Sequence, residues 1–478
     1  MIRHLEEIEQ VLKNVDMMQA DDASAKYFLS NIAFDSNEED RKIIVDYINQ
    51  NIDSLSEKYK FISGYTSALC LRQKCSLCSV KKWCGKFRAK IQKKEIHRTG
   101  FVYADFFCGA GGLSLGFKSA GFKLSLANDI QECCIDTYRF NHPETPTYNI
   151  VAGDINDILA NVEKNRRFSD IDVVAGGPPC QGFSMANRQR LIDDPRNHLY
   201  KSYVAVINKL HPKFIVMENV RGILSVMDQI DADFSTIGYS VKAKLLNAKD
   251  FGIPQNRERV IVIGNCLGID NESIFGEILE KSSKMTSVNL EDAIADLRPL
   301  EAKRRKNNTE IEDSKSGFNI TKKEVAQESA YVKLINKMGD TSILFNHKAR
   351  YNNDRDIEIF GRLDPGDNST DPKISDIMPY KRRERIFKDK YYKLEMDKPC
   401  KTITAHMKYD CNMYIHPNQA RGLTPREAAR VQSFPDDYFF RGSYTKTYMQ
   451  IGNSVPPLLS KTIAEVIKNR LEGLNGCV

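Results

Sequence analysis

The sequence contains no run of about 18 apolar residues, the length that a helix needs to cross a lipid bilayer, so we expect no membrane span. The segment Met1 to Glu7 is charged and lacks the apolar core of a secretory signal peptide. No internal repeat is visible along the 478 residues. The chain is long enough for two or three globular domains, and we expect a cytoplasmic protein.

Net charge is modest at +7, but it is unevenly distributed along the chain. Residues 1–60 hold 7 Lys/Arg and 13 Asp/Glu, whereas residues 61–100 hold 10 Lys/Arg and 1 Glu. A mildly basic chain fits nucleic-acid binding without requiring it. The acidic and basic segments fit equally well an appended module with its own contact surface or a solvated linker.

Disulfides are not expected, because twelve cysteines in a chain without a secretion signal argue for metal binding or catalysis. Four of them are spaced C-x4-C-x2-C-x5-C, with lysines between them: Cys70, Cys75, Cys78 and Cys84. This density predicts a metal site rather than core packing, and all-cysteine ligation suits zinc or a 4Fe–4S cluster. The compact spacing favours the iron–sulfur cluster. The spacing of the last three cysteines resembles that of the iron–sulfur loop of endonuclease III-type DNA glycosylases, in which the first gap is longer.

Alternating short apolar strands and helices begin at Phe101 and predict an α/β fold with a mostly parallel sheet covered on both faces. The clearest strands are residues 102–107, 123–128, 171–175, 214–218 and 260–264. Before them, residues 1–60 have helical apolar periodicity and residues 86–98 form a basic linker. After residue 264 the alternation gives way to polar, turn-rich sequence up to residue 420, which predicts a second, smaller domain.

A thiol follows one of these strands through an unusually stiff turn, Gly176-Gly177-Pro178-Pro179-Cys180. Glycines let the backbone pass close to a ligand, and prolines restrict the turn. The thiol therefore lies at the carboxyl end of a buried strand, where open α/β sheets bind their ligands. A thiolate is a strong nucleophile, so this position favours covalent catalysis.

A glycine-rich loop, residues 107–112, follows the first strand and opens a helix. Its spacing departs from the dinucleotide pattern G-x-G-x-x-G because Ser114 occupies the last position. Asp129 ends the second strand, where a carboxylate can accept hydrogen bonds from ribose hydroxyls. These residues alone leave a nicotinamide-dependent enzyme open as an alternative.

Together these motifs resemble the DNA cytosine-5 methyltransferase family, from Phe101 to about Leu471. The resemblance rests on an ordered series: residues 105–112, Gly153-Asp154-Ile155, residues 175–184, Glu218-Asn219-Val220, residues 255–259, residues 421–427 and residues 450–457. The first hundred residues lie outside it. Methyltransferases of exocyclic amines are excluded, because their motif requires Asp or Asn before the prolines, where this chain has Gly177, and their chemistry needs no thiol.

The resemblance implies a Rossmann-like class I methyltransferase sheet with a smaller target-recognition domain and a helical, Cys-rich N-terminal extension. The implied division is residues 1–98 for the extension, 99–264 for the catalytic domain, 265–420 for target recognition and 421–478 for the return to the catalytic domain. Implied partners are S-adenosylmethionine, double-stranded DNA and a cognate restriction endonuclease in a bacterial cytoplasm. We expect a monomer.

The resemblance also assigns site residues. Cys180 is implied as the nucleophile at cytosine C6 and Glu218 as the contact to N3 and the exocyclic amine. Arg257 and Arg259 match the family's catalytic arginines, at least one of which contacts the base and supports the thiolate. The two arginines are two residues apart, so an extended segment would turn both to one side. The implied cofactor residues are Phe107, Gly109, Ala110, Gly112, Asp129, Asp154, Ile155, Pro178, Asn453 and Ser454. The implied DNA contacts are Gln181, Ser184, Arg196, Lys401, Thr402 and His406.

Two other functions compete with this interpretation. An RNA cytosine-5 methyltransferase similar to the family's transfer-RNA branch is disfavoured by the long segment between residues 264 and 421. A DNA-binding regulator without activity is disfavoured by the intact set of Cys180, Glu218, Arg257 and Arg259. A DNA cytosine-5 methyltransferase of restriction–modification type is therefore the prediction.

Overall fold

The computed structural model describes residues 100–142, 145, 149–162, 170–179, 198–305, 313–323, 327–337, 343–379, 390–409 and 412–475. Predictions for the N-terminal extension, including Cys70, Cys75, Cys78 and Cys84, lie outside these residues. The predicted nucleophile and its loop also lie outside them: Cys180, Gln181, Ser184 and Arg196.

Eleven strands occur in the described part of the chain. They are β1 Val102–Phe106, β2 Lys123–Asp129, β3 Ile150–Ala152, β4 Val173–Gly176, β5 Phe214–Asn219, β6 Ser240–Asn247, β7 Gln255–Asn256, β8 Glu258–Asn265, β9 Gly317–Lys322, β10 Ile343–Lys348 and β11 Cys400–Lys401.

Twelve α-helices accompany them within the same ranges. They are α1 Gly112–Ser119, α2 Glu132–Asn141, α3 Ile155–Val162, α4 His198–Leu210, α5 Met227–Ser235, α6 Asn271–Ser283, α7 Leu290–Ile294, α8 Ala330–Asn336, α9 Asp354–Arg362, α10 Pro425–Val431, α11 Tyr444–Asn453 and α12 Pro457–Asn475. None of these helices combines the length and the apolar character that crossing a bilayer requires.

Seven strands form one mixed sheet in the order β3-β2-β1-β4-β5-β8-β6. Strands β1 to β5 pair in parallel, and β8 is antiparallel to both of its neighbours. The five strands predicted from the sequence are all present, with ends that differ by up to two residues. Strands β3 and β6 were not predicted.

Helices cover both faces of this sheet, as the sequence predicted. On one face α1, α2, α6 and α12 bury apolar side chains against alternate strand residues such as Tyr103, Val173 and Val216. On the other face α3, α4 and α5 pack against the intervening residues, including Phe106 and Val174. The result is a three-layer α/β arrangement, in which a central strand buries both of its faces.

The strand order places the candidate functional residues at one edge of the sheet. After β3 the chain crosses to β4, on the other side of β1, so the carboxyl ends of β1 and β4 flank a point where the strand order reverses. Ligands of open α/β sheets bind in the crevice at such a point. Because β8 runs antiparallel, its first residues, rather than its last, lie at this same edge.

The stretch after residue 264 contains helices that its turn-rich sequence did not suggest. Helix α6 begins at a cap in which the Asp270 carboxylate accepts hydrogen bonds from the Glu272 and Ser273 amides at 3.0 and 3.1 Å. Its buried face packs on α12, in the same apolar cluster as the sheet. A separate small core lies farther along the segment, built from Ile359, Phe360, Leu363, Ile374, Met378, Tyr391 and Ile415.

Buried ion pairs join this later segment to the returning chain. The Arg430 guanidinium contacts both Asp436 and Asp296, and Lys323 also contacts Asp436. Arg430 and Asp436 are fully buried. We call Asp296, Lys323, Arg430 and Asp436 the ionic cluster. It fixes α10 to residues that lie more than one hundred positions earlier in the chain.

Candidate active site

The glycine-rich loop is packed on one side and open on the other. A Cβ atom on Gly112 would lie 2.3 Å from the Val455 carbonyl oxygen, so only glycine fits where the loop meets the returning chain. Gly109 has φ +52°, and within the described part of the chain no atom beyond its two neighbours lies within 4 Å of the position where its Cβ would be. The loop therefore leaves a cradle above Gly109 that a ligand can occupy.

Asp129, at the end of β2, lies against the same loop. Its carboxylate accepts hydrogen bonds from the backbone amides of Gly109 at 2.9 Å and Gln131 at 2.7 Å. Burial raises the pKa of this carboxyl, and the two amide hydrogen bonds oppose that shift. Each carboxylate oxygen has further lone pairs, so the group can still accept from hydroxyl donors of a ligand.

Two apolar residues adjoin the glycine-rich loop and Asp129 along the chain. Phe107 was a predicted cofactor residue, whereas Ile130 was not singled out in the sequence. Phe107 is half-buried with φ +56°, an uncommon conformation for a side-chain-bearing residue that can mark a functional site. Its ring centroid lies 6.4 Å from that of Tyr203. Ile130, directly after Asp129, is 66% exposed. An apolar residue following the strand-ending acid was the only sequence signal for it.

Asp154 and Ile155 follow β3 at the same edge. The Asp154 carboxylate accepts from the Asn156 amide at 2.8 Å and thereby caps the start of α3. Ile155 is buried in the core beneath the sheet. Gly153, with φ +151°, has no atom of the other described residues within 4 Å of its would-be Cβ apart from its chain neighbours, so the backbone beside Asp154 is open to a ligand as far as these residues define it.

The remaining predicted cofactor residues lie in two flanking turns. Asn453 ends α11 and is exposed, whereas Ser454 is buried and donates to the Gln450 carbonyl oxygen at 2.7 Å. Pro178, after β4, accepts from the Asn219 amide group at 3.1 Å. Ala110 is buried and its carbonyl accepts from the Tyr438 hydroxyl.

Glu218 and Arg259 form an ion pair beside the proline turn. The Arg259 Nε atom lies 3.0 Å from Glu218 Oε1, and the two side chains are only 17% and 13% exposed. A Cβ on Gly177 would lie 3.5 Å from the other oxygen of the Glu218 carboxylate. The turn that leads to position 180 therefore lies directly against this carboxylate.

An open cleft of about 560 Å³ adjoins the pair. Its described lining comprises Val220, Arg221, Gly222, Asn256, Glu258, Arg259 and Thr402. The Thr402 hydroxyl donates to the Asn256 carbonyl oxygen at 2.7 Å, which holds residue 402 at the cleft wall. A fixed carboxylate and guanidinium next to a cleft of this size suit a planar, polar ring with donors and acceptors.

Arg257 has different partners from Arg259, although spacing in an extended segment would have turned both to one side. It is 1% exposed and donates to the carbonyl oxygens of Ile403 at 2.7 Å, Gly452 at 3.1 Å and Ser454 at 3.1 Å. Burial lowers the pKa of its guanidinium to about 9. Arg257 lies between β7 and β8, where the regular two-residue alternation of a strand does not apply.

The other two predicted DNA contacts lie on the same segment as Thr402. The Lys401 ammonium lies over the Tyr392 ring, 5.0 Å from its centroid, so a neighbouring aromatic already engages it. His406 is exposed, with its ring 5.8 Å from that of Tyr409, which is itself 68% exposed. Tyr409 was not singled out in the sequence.

A model of the C-5 cytosine-specific DNA methylases matches residues 101–469. The chain belongs to this family. It is 34% identical over 394 residues to the type II methyltransferase M1.HphI of Haemophilus parahaemolyticus, and the alignment covers 80% of this chain and 91% of that relative. It is 36% identical over 400 residues to M.DdeI of Desulfomicrobium norvegicum, with 78% and 89% covered.

A solved structure supports the same fold. A protein described as a DNA modification methyltransferase encoded within a prophage (E. coli) aligns with a TM-score of 0.59 at 25% identity. The alignment covers 78% of this chain and all of that one. The chain is thus a DNA (cytosine-5)-methyltransferase, EC 2.1.1.37, of an S-adenosylmethionine-dependent family.

The family match begins at residue 101, so it does not extend to the cysteines at positions 70 to 84. Within the described ranges no group of three or more His, Cys, Asp or Glu side chains is arranged to hold a metal ion. The predicted metal site stays a prediction from cysteine spacing.

Proposed function

We propose that this enzyme methylates carbon 5 of a cytosine flipped out of a specific duplex sequence, as the modification half of a type II restriction–modification system. The observation that carries the proposal is the Glu218–Arg259 pair, which lies at the sheet edge between the proline turn and the 560 Å³ cleft. A base inside a duplex cannot reach such a cleft, so it must leave the stack first.

The cradle beside this cleft fits S-adenosylmethionine. The open space above Gly109 and Gly153 lets a ligand approach the backbone closely. We assign the Asp129 carboxylate, which lies against the same loop, to accept hydrogen bonds from the ribose hydroxyls. We assign the adenine to Phe107, Ile130, Asp154 and Ile155, with Ala110, Gly112 and Pro178 shaping the walls and Asn453 and Ser454 closing over the methionine part. When bound, the sulfonium supplies an electrophilic methyl group.

The chain's own residues prepare the cytosine. The Cys180 thiolate adds to C6, which moves electron density to C5 and makes that carbon nucleophilic. Glu218 accepts from the exocyclic amine and delivers a proton to N3 as the thiolate adds, and the Arg259 guanidinium donates to the O2 carbonyl. After methylation at C5, loss of the C5 proton to solvent, return of the N3 proton to Glu218 and release of the thiolate restore the aromatic ring.

Target recognition is assigned to residues 265–420. Thr402 borders the cleft and is placed to contact backbone near the flipped base, with His406 and Lys401 beside it as candidate readers. Phosphate contacts position such a segment, whereas base-edge contacts carry its sequence preference. Gln181, Ser184 and Arg196 are assigned to the loop that closes over the base.

Bisulfite sequencing of DNA from a methylation-free bacterial host tests the proposal. We expect cytosines within one short motif to resist conversion when the wild-type chain is expressed, and none when Cys180→Ala is expressed at equal level. Soluble wild-type protein that binds S-adenosylhomocysteine but protects no cytosine would contradict the proposal, and labelling of RNA instead would favour the transfer-RNA branch.

The N-terminal cysteines are proposed, from spacing alone, to hold a 4Fe–4S cluster or zinc as a structural or DNA-contacting module. Metal analysis and visible absorption of wild type, Cys75→Ser and, as the matched control, Cys266→Ser test this. We expect loss of metal in Cys75→Ser only. Equal metal content in all three proteins would overturn the proposed metal site.

A further inference from the structure

Three buried polar side chains lie between the segment that lines the base cleft and the segment assigned to close over the cofactor. They are Gln255, Arg257 and Gln432, each 1% exposed or less. We call them the bridging triad. The first segment is residues 402–405 and the second is residues 451–454. The two segments come from parts of the chain almost fifty residues apart.

The triad holds both backbone groups of Ile403. The Ile403 amide donates to Gln255 Oε1 at 2.8 Å, and the Ile403 carbonyl oxygen accepts from Arg257 Nη1 at 2.7 Å. Strand β11 also pairs in parallel with β7, so Lys401 lies opposite Asn256. The cleft-lining segment is thus fixed to the stretch that carries Arg259.

The same side chains hold the second segment. Arg257 Nη2 donates to the carbonyl oxygens of Gly452 and Ser454, both at 3.1 Å, and Gln432 Nε2 donates to the Ile451 carbonyl oxygen at 2.8 Å. Gln255 Nε2 donates to Gln432 Oε1 at 2.9 Å and so closes the network.

The two segments also touch directly. A Cβ on Gly452 would lie 2.2 Å from the Thr404 carbonyl carbon and 2.3 Å from the Ala405 amide nitrogen. These are backbone atoms that no side-chain rotation can move aside. A shift of residues 452–454 therefore either moves residues 403–405 with it or breaks the buried hydrogen bonds of the triad.

We propose that Arg257 is a positioning residue that couples cofactor binding to DNA binding. The inference rests on the proposed function, since it takes residues 453–454 as cofactor contacts and Thr402 as a DNA contact. The planar guanidinium spans both segments at once, which the single ammonium of a lysine cannot do. Coupling of this kind is reciprocal: each ligand must strengthen binding of the other by the same factor.

Binding measurements separate this role from general stability. The dissociation constant of sheared, unmethylated bacterial genomic DNA is measured with and without saturating S-adenosylhomocysteine, for wild type, Arg257→Lys and Gln255→Met. Arg470→Lys is the matched control. The Arg470 guanidinium contacts Ser273 and Glu277 of α6, which lie away from the triad. Thermal unfolding verifies that each variant is folded.

We expect the cofactor product to tighten DNA binding by on the order of tenfold in wild type and Arg470→Lys, and by less than about twofold in the triad variants. If the triad were purely structural, its variants would bind both DNA and S-adenosylhomocysteine more weakly, but the ratio of the DNA dissociation constants without and with S-adenosylhomocysteine would not change. An unchanged ratio in folded Arg257→Lys and Gln255→Met would overturn the inference, as would a ratio of one in wild type. Because binding is measured rather than turnover, an inactive wild type that still shows the coupling would count against the proposed function alone.

Discussion

Arg421 donates one hydrogen bond to each oxygen of the Glu427 carboxylate, both at 2.7 Å, and both side chains are 1% exposed. The same carboxylate accepts from the Thr424 amide and completes the capping box of α10. Arg421 holds the pKa of Glu427 well below its usual range. One buried ion pair therefore fixes the turn at which the chain re-enters the catalytic core.

Breaking this pair should strongly destabilise the fold. Arg421→Met leaves a buried carboxylate without its partner, and we expect a loss of roughly 3–5 kcal/mol in the free energy of unfolding. Urea denaturation monitored by circular dichroism measures it. The exposed pair between Lys284 and Glu280 provides the control, since Lys284→Met should change stability little. Equal losses in the free energy of unfolding of the two variants would contradict the view that burial makes the Arg421–Glu427 pair more important than an exposed pair.

Asp105 should make stability fall as pH rises. It is buried in β1, Ser114 donates to its Oδ2, and Oδ1 has no partner among the described residues. Burial raises its pKa from 3.8 to about 7. The unfolded carboxyl loses its proton near pH 4 and the folded one near pH 7, so the folded state is penalised progressively across this window and fully above it.

Asp105→Asn removes that penalty. We expect the melting temperature of the variant relative to wild type to increase between pH 4 and pH 8, with the largest gain at the upper end. Calorimetric melts in matched buffers measure the difference. A difference that stays constant across these pH values would show that Asp105 does not titrate in this window.

Asp129→Asn should weaken the cofactor site. The amide keeps the shape but loses the charge that strengthens hydrogen bonds from ribose hydroxyls, so we expect S-adenosylhomocysteine to bind roughly tenfold to a hundredfold more weakly. Isothermal titration calorimetry measures the affinity. The exposed Asp228 of α5 serves as control, and Asp228→Asn should bind normally. Unimpaired binding by Asp129→Asn would remove this residue from the proposed site.

Glu218→Gln and Arg259→Lys should impair methyl transfer without affecting cofactor affinity. Arg259 lines the cleft and Glu218 is ion-paired with it, and each is assigned to groups of the base where charge develops in the transition state. We expect kcat/KM for methyl transfer to duplex DNA to fall by about 10²–10³. Transfer of radiolabelled methyl groups measures this. A parallel loss of S-adenosylhomocysteine binding would point instead to a collapsed site.

The sheet and its glycine-rich loop were predictable because they depend on local sequence. Runs such as residues 214–217 are continuously apolar, since a central strand buries both faces, and glycines and prolines mark turns such as the one after β4. Strand β3 has only three residues, and edge strand β6 carries an exposed lysine at position 242 and a half-buried one at position 244, so neither gave an apolar run. Helices α7 to α9 are short, and each helix from α6 to α9 begins at its own polar cap residue, so polar sequence hid them.

The groups that Arg257 and Arg259 contact could not be predicted from the sequence. Spacing places Arg257 and Arg259 near each other, and family resemblance marks both as important. Which of them faces the cleft depends on carbonyl oxygens supplied by residues 403, 452 and 454, far away in the chain. Ile130 and Tyr409 were missed for a related reason, because exposure of an apolar or aromatic side chain is set by the fold.

The ionic cluster limits how recognition segments can be exchanged between members of this family. Arg430 and Asp436 belong to the returning chain, whereas Asp296 and Lys323 belong to the segment that would be replaced in a chimera. A graft that supplied only one of the latter two would place an unbalanced charge beside the buried Arg430–Asp436 pair, and a graft that omitted both would remove hydrogen bonds from that pair. Specificity engineering in this scaffold should therefore either join the segments after residue 323 or carry both an acid and a lysine at the matching positions.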